Sequence, residues 1–352
     1  MNESAVSFAS QLFSHAITSK LQAAKESRLF DCFKRVLLQD STTLSLPRCM
    51  LNHYPGNVSR GEQRAVARLQ CILNITTMQW LHLSLDAYTQ NDQSASGQVL
   101  PVLRKGDLLI RDLGYFVLET LREIIAKKAF LISRLRYGVI LFDQKGKQLN
   151  WKALGKGKGI VDRNVLIGRE HKIPVRLIMA PLPPEQVEER IRKARNHRDR
   201  RLNHSEDYYL WLRYNVFITN VDADRLNPTE IIKAYKVRWQ IETLFKTWKS
   251  GLHLQKILDQ QCENIYRIKT TIYLLLLLFC LIMQKVYIPY CIKIKKEYGK
   301  ELSLMKLIIY ITNNLIQTIC SPPERLKEQL AKHCCYESRN DRTNMAEFVC
   351  TF

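Results

Sequence analysis

The sequence predicts an α/β fold, a mixed sheet with flanking helices interrupted by a β-rich insertion. Three observations support it. Short apolar runs of strand character crowd the first 136 residues, and two of them end in an aspartate. Between about 137 and 227, strand-like pieces alternate with lysine- and arginine-rich stretches. From 228 to about 320 the pattern is mostly helical. Strands followed by helices, with a segment of different composition between them, describe an α/β domain carrying an inserted module.

In chain order, residues 1–35 read as helical with mixed polarity. VLLQD (36–40) is a short apolar run closed by an acid. LQCILNITT (69–77) and WLHLSLDAY (80–88) alternate or are β-branched enough to be strands, and the short gap at Met78 and Gln79 predicts a hairpin. LLIRD (108–112) is a second apolar strand ending in an acid, followed at once by Leu113 and Gly114. FVLETLREIIAKK (116–128) has helical spacing, and FLISRLR (129–135) returns to strand. YGVILFD, PVRLIMA and YNVFIT are the strand-like pieces of the insertion. A strong helix is expected from Pro228, with Asn227 before it and Glu230 in its first turn, to about Lys249, stopping near Gly251. The expected bounds are 1–35 for a helical N-terminal piece and 36–136 for the first part of the main domain. They continue with 137–227 for the basic β-rich insertion, 228–320 for the second, helical part and 321–352 for a polar tail marked by Pro322-Pro323.

Charge narrows the partner. Lys and Arg number 54 against 33 Asp and Glu, a net charge of +21, while 46% hydrophobic residues indicate a folded core. Such an excess favours a polyanion, nucleic acid before others. The ten cysteines form no CxxC pair, so Cys334-Cys335 beside His333 reads as reduced thiols rather than a zinc site. The N-terminus has no basic start followed by an apolar core, so no secretory signal is expected. The most apolar stretch, Thr271 to Met283, is closed by Lys269 and Lys285 and falls short of the roughly 20 residues of a spanning helix. It reads as a core helix, without a membrane partner.

Asp40 and Asp112 are the first candidate site residues, because a buried strand has little use for a carboxylate unless it emerges where ligands gather. Each could instead start a turn or cap a helix. On the helix from 228, Tyr235, Arg238, Glu242 and Lys249 fall within an arc of roughly 60° at about 100° per residue. Arg238 and Glu242 could be a routine i, i+4 pair, which leaves the tyrosine and lysine of the stripe without a reason. Phosphodiester chemistry gives all four a role. Carboxylates hold hard divalent cations, arginine and lysine hold phosphates, and tyrosine bonds a phosphate or packs on a sugar or base.

The spacing Tyr235-x2-Arg238-x3-Glu242-x6-Lys249, within YKVRWQIETLFKTWKSGL, resembles the Tyr–Arg–Glu–Lys signature of the insertion sequence 4 family of bacterial DDE transposases. QDSTTLSL around Asp40 and LLIRDLGYF around Asp112 are similar to its two aspartate blocks, in the same order. The resemblance covers roughly residues 30–285. It implies a ribonuclease-H-like fold with a β-rich insertion, and Asp40, Asp112 and Glu242 as both catalytic residues and ligands of two Mg²⁺, with Mn²⁺ as a substitute. It implies cleavage at element ends and strand transfer to target DNA, by a cut-and-paste route that can include a hairpin intermediate. By the same analogy the partners are terminal repeats and target DNA, the protein is a dimer on DNA, and its place is the bacterial cytoplasm at the nucleoid. Family members carry a DNA-recognition region before the first aspartate, so residues 1–35 read as its shortened remnant. The residues alone support only metal-assisted phosphoryl transfer. A structure-selective nuclease and a non-catalytic DNA-binding remnant remain the alternatives. In the insertion, Lys145, Lys147, Lys152, Lys156 and Lys158 are expected to contact DNA phosphates, as is the arginine-rich run 188–201 unless it is a solvated helix face. Trp151 either stacks on an unpaired base or is structural.

Overall fold

Burial of the apolar runs divides the chain into two compact units, one formed by Met1–Asp92 with Lys236–Phe352 and the other by Gln93–Tyr235. The computed structural model describes residues 1–18, 28–59, 61–155, 159–196, 205–259 and 264–336. The first unit opens with helix α1 (Glu3–Thr18) and continues with strands β1 (Val36–Leu46), β2 (Pro55–Ser59), β3 (Glu62–Asn74) and β4 (Gln79–Ala87). β1 runs antiparallel to β3 from Leu37↔Asn74 to Leu46↔Ala65, and β4 and β2 lie along the other edge of β3. The expected hairpin joins β3 to β4. Its turn is held by Asn74, whose Nδ2 donates to Thr77 Oγ1 at 2.8 Å and whose Oδ1 accepts from the Thr76 backbone N–H at 3.2 Å.

One expectation is corrected here. Asp40 does not end its strand, because β1 continues to Leu46. Ser41, Thr42 and Thr43 look polar enough for a loop, yet the two threonines suit a pleated surface. Leu44 and Leu46 alternate into the core beyond them. Asp40 therefore lies within the ladder, opposite Cys71.

The second unit comprises β5 (Leu108–Arg111), α2 (Leu118–Ala126), β6 (Phe130–Arg134), β7 (Leu141–Phe142), α3 (Trp151–Leu154), β8 (Val161–Ile167), β9 (Ile173–Pro181), α4 (Pro184–Arg195), α5 (Glu206–Trp211), β10 (Tyr214–Thr219) and α6 (Pro228–Lys236). β5 and β6 are parallel, bridged by α2, and the remaining ladders β6–β10, β10–β9, β9–β8 and β8–β7 are antiparallel. The strands expected of an insertion at 137–227 thus extend the ladder of β6 rather than forming a sheet of their own, and the compact unit begins at Gln93. The physical reason is β10, whose Phe217, Ile218 and Thr219 pair with Arg134, Ser133 and Ile132.

Past Tyr235 the chain returns to the first unit through α7 (Trp239–Lys246), a π turn (Thr247–Gly251), α8 (Leu254–Asp259), α9 (Ile265–Ile282), α10 (Ile288–Tyr298), α11 (Leu304–Asn313), α12 (Leu315–Cys320) and α13 (Pro323–His333). The helix expected as one piece to Lys249 is interrupted at Val237 and Arg238 and ends in the π turn. Gly251 closes that turn where a Cβ would stand 2.8 Å from Ile308 Cγ2. Trp248 is buried among Trp80, Phe245 and Phe279, with ring centroids 5.2–5.5 Å away.

Two further expectations change. The apolar run at 271–283 belongs to a continuous helical stretch, Ile265–Tyr298, long and apolar enough by length and composition to cross a membrane. The length argument fails because it counted only the apolar run. Half of the stretch's most apolar 18-residue window is buried, as a core role requires, and Phe13 of α1 packs against Tyr273. The polar tail expected from 321 begins as α13, with Leu326, Leu330 and Ala331 buried. Burial pushes the Cys334 thiol up to about 12.

Candidate active site

Within the first unit, Arg238 joins two of the three nominated carboxylates. Its Nη1 lies 3.0 Å from Asp40 Oδ2 and its Nη2 2.6 Å from Glu242 Oε1. The Arg238 and Asp40 side chains are only 10% and 12% exposed, against 39% for Glu242. Asp40 Oδ1 accepts from the Ser41 backbone N–H at 2.8 Å. The Ser41 hydroxyl donates to Asp92 Oδ1 at 2.7 Å, and Asp92 is ion-paired to Arg68 at 2.9 Å. The i, i+4 spacing of Arg238 and Glu242 thus describes a true pair, but one of its members reaches a buried aspartate on β1 as well. The sequence nominates Asp40 and assigns Arg238 to phosphate, but nothing local in it pairs the two.

Within the second unit, Asp112 directly follows β5 and stands at the head of a short 3₁₀ turn, Leu113–Tyr115, without capping it through its side chain. Asp112 thus starts a turn, its carbonyl accepting from the Tyr115 backbone N–H at 3.1 Å, while its carboxylate is left for other partners. Its Oδ1 accepts from the Tyr235 hydroxyl at 3.2 Å. Tyr235 is buried, its ring 5.0 Å from that of Phe217. Its hydroxyl thus has Asp112 as a partner, on the helix stripe where a phosphate or base contact was expected. Arg111, beside Asp112, is also fully buried, with Nη1 3.0 Å from Ser96 Oγ. Burial pulls its guanidinium pKa down to about 9.

The donor set has the right chemistry for a hard cation, since Asp40 and Glu242 present carboxylate oxygens to one shared positive group. Among the described residues, no three His, Cys, Asp or Glu side chains stand together at metal-holding spacing. Lys249, in the π turn, is half-buried, which lowers its pKa. In the insertion, Lys145 and Lys147 are exposed around a turn organised by Asp143 Oδ1, which accepts from both backbone N–H groups at 2.9 Å. Lys152 is ion-paired with Glu206 at 2.8 Å, a partner the local sequence did not reveal. Trp151 packs beside Tyr137, centroids 6.4 Å apart. Lys156 and Lys158 lie outside the described residues.

Comparison with known proteins adds a lineage to this geometry. The chain is 29% identical over 272 residues to the transposase for insertion sequence element IS231F of Bacillus thuringiensis subsp. israelensis, covering 71% of this chain and 57% of the relative. It is 23% identical over 286 residues to the transposase for insertion sequence element IS1151 of Clostridium perfringens, covering 75% and 60%. The chain spans between 56% and 61% of the length of six such relatives. A cryo-EM structure of the piggyBac transposase synaptic complex with hairpin DNA aligns with a TM-score of 0.39 at 8% identity, over 88% of this chain and 59% of that one. The family model described as Transposase DDE domain matches residues 31–281, spanning Asp40, Asp112 and Glu242 alike. The chain belongs to the transposase DDE domain family.

Proposed function

We propose that this chain carries the catalytic domain of a DNA transposase, with Asp40, Asp112 and Glu242 as its acidic triad. One observation carries the reading. Asp40 and Glu242, far apart in sequence, meet on a single guanidinium, and both lie within the residues that the family model matches. Asp40, Asp112 and Glu242 would hold the divalent cations, two Mg²⁺ or Mn²⁺ ions, that this chemistry calls for. A bound cation supplies Lewis-acid polarisation of the phosphate and activation of the attacking oxygen. Arg238 orients Asp40 and Glu242, and Tyr235 orients Asp112 through its hydroxyl. Lys249 and the insertion lysines neutralise DNA phosphates, which gives sequence-independent and salt-sensitive affinity. The substrates are the element's terminal repeats and a target duplex, engaged by a dimer at the bacterial nucleoid.

The test is a reaction with Mg²⁺ and DNA bearing the element's own flanking repeats. The wild-type chain is expected to yield cleaved ends and joined products. Glu242→Gln and Asp112→Asn are expected to bind the same DNA within about twofold and cleave none. Cleavage retained in either variant refutes the triad, and cleavage without joined products makes the chain a nuclease.

A further inference from the structure

Two arginines of the second unit converge on one neutral oxygen. Arg134 is on β6, Asn215 on β10 and Arg190 on α4. Arg134 Nη2 donates to Asn215 Oδ1 at 3.3 Å, and Arg190 Nη2 donates to the same atom at 2.8 Å. Arg190 Nη1 also donates to the Tyr214 carbonyl at 3.2 Å, which fixes the guanidinium against the strand end. All three side chains are only partly exposed. Among the described residues, no carboxylate forms an ion pair with either arginine. Glu189, next to Arg190 in sequence, is committed to Lys193 at 2.6 Å.

The arrangement is unfavourable unless something answers it. Two like charges so close repel, and the repulsion grows in a partly desolvated setting. Burial, and then the Arg134 charge, lowers the Arg190 pKa. An aspartate at 215 would relieve the strain at almost no change of shape, yet the sequence places an amide there. Asn215 therefore aligns two guanidinium forks while leaving both charges available. Such forks match the oxygens of a tetrahedral oxyanion, each able to take two. α4 presents Arg192, Lys193 and Arg195 in its last turn, with Glu185, Glu188 and Glu189 in its first half, and buries none of its residues.

We propose that Arg134 and Arg190, aligned by Asn215, form a binding site for a phosphate group, and that in function this is a backbone phosphate of duplex DNA. The DNA part rests on the transposase reading. The phosphate part does not.

Asn215→Asp is the decisive variant, because it supplies an internal counter-ion without removing either arginine. In the full chain, inorganic phosphate is expected to raise the wild-type Tm. Asn215→Asp is expected to show a higher Tm without phosphate and no further rise with it. Anisotropy of a labelled duplex titrated with salt is expected to show several-fold weaker binding in the variant. Its log–log slope should be shallower by about 1, the value for one lost phosphate contact. Arg134→Gln, which keeps Asn215 bonded to Arg190, is expected to weaken binding in the same way and serves should the aspartate variant fail to fold. A phosphate response in Asn215→Asp or Arg134→Gln equal to wild type overturns the site. Phosphate stabilisation abolished by Asn215→Asp, in a chain that binds no duplex at all, leaves the oxyanion site standing and removes DNA as its ligand.

Discussion

Arg238 and Glu242 stand one helical turn apart and touch, but the structure assigns them very different weights in stability. Arg238→Ala removes the guanidinium from an Asp40 carboxylate that is 12% exposed. Removing one partner of a buried pair costs about 3–5 kcal/mol, because the remaining charge stays desolvated. Glu242→Gln removes only the half-exposed member of the network, 39% exposed, and pairs of that kind are worth about 0.2–1 kcal/mol. Urea denaturation at pH 7, with and without each substitution, compares the two directly. The double variant Arg238→Ala with Asp40→Asn is expected to lose less than the sum of its single changes, by about 1.5 kcal/mol or more, because the charge left unanswered by the first change is gone. Equal costs below about 1 kcal/mol for Arg238→Ala and Glu242→Gln, with an additive double variant, would reduce the bridge to an ordinary helix-surface pair. The claim that Arg238 organises the site would fall with it.

Two other outcomes follow from the geometry. Replacing Lys145 and Lys147 together by Gln is expected to flatten the salt dependence of duplex binding by up to about 2 in log–log slope, whereas Lys152→Gln, whose charge Glu206 already answers, moves it less; an equal effect from Lys152 alone contradicts the assignment. The Cys334 thiol, raised to about 12 by burial, keeps its proton in the folded chain when the unfolded chain has lost it at about 9. Its contribution to stability is therefore full below pH 9 and declines from 9 towards 12, by at most about 1.4 kcal/mol per pH unit. Denaturation of wild type and Cys334→Ala at pH 8 and pH 10.5 checks this: the wild type is expected to lose more, and parallel losses would refute it.

Local features were legible in the sequence, and distant pairings were not. The β3–β4 hairpin could be read because both strands alternate and the gap between the apolar runs is short. β5 and α2 could be read from continuous burial and from helical spacing. β1 was cut short because Ser41-Thr42-Thr43 carries no apolar signal, although pairing with Gln70, Leu69 and Arg68 makes it strand. β8 escaped notice because Asp162, Arg163 and Asn164 face solvent and break the apolar run. In the site, spacing revealed Arg238 with Glu242, but nothing local linked Arg238 to Asp40 or Tyr235 to Asp112. A carboxylate's counter-ion is chosen by the fold, and strand-to-helix contacts across many residues leave no periodic trace.

The first unit is built from the two ends of the chain with all of Gln93–Tyr235 inserted between them. On the ribosome this imposes a schedule. At about 5–20 residues per second, strands β1–β4 emerge many seconds before α7 and α9 exist to cover them. Through that interval the face bearing Asp40 and Cys71 has neither its arginine, 198 positions later, nor the helix that carries Cys280. A nascent four-stranded sheet with a bare apolar face is a natural substrate for holding chaperones. Yield in cells should therefore depend on how quickly the intervening unit folds and clears the exit, more than on the final stability of the sheet itself.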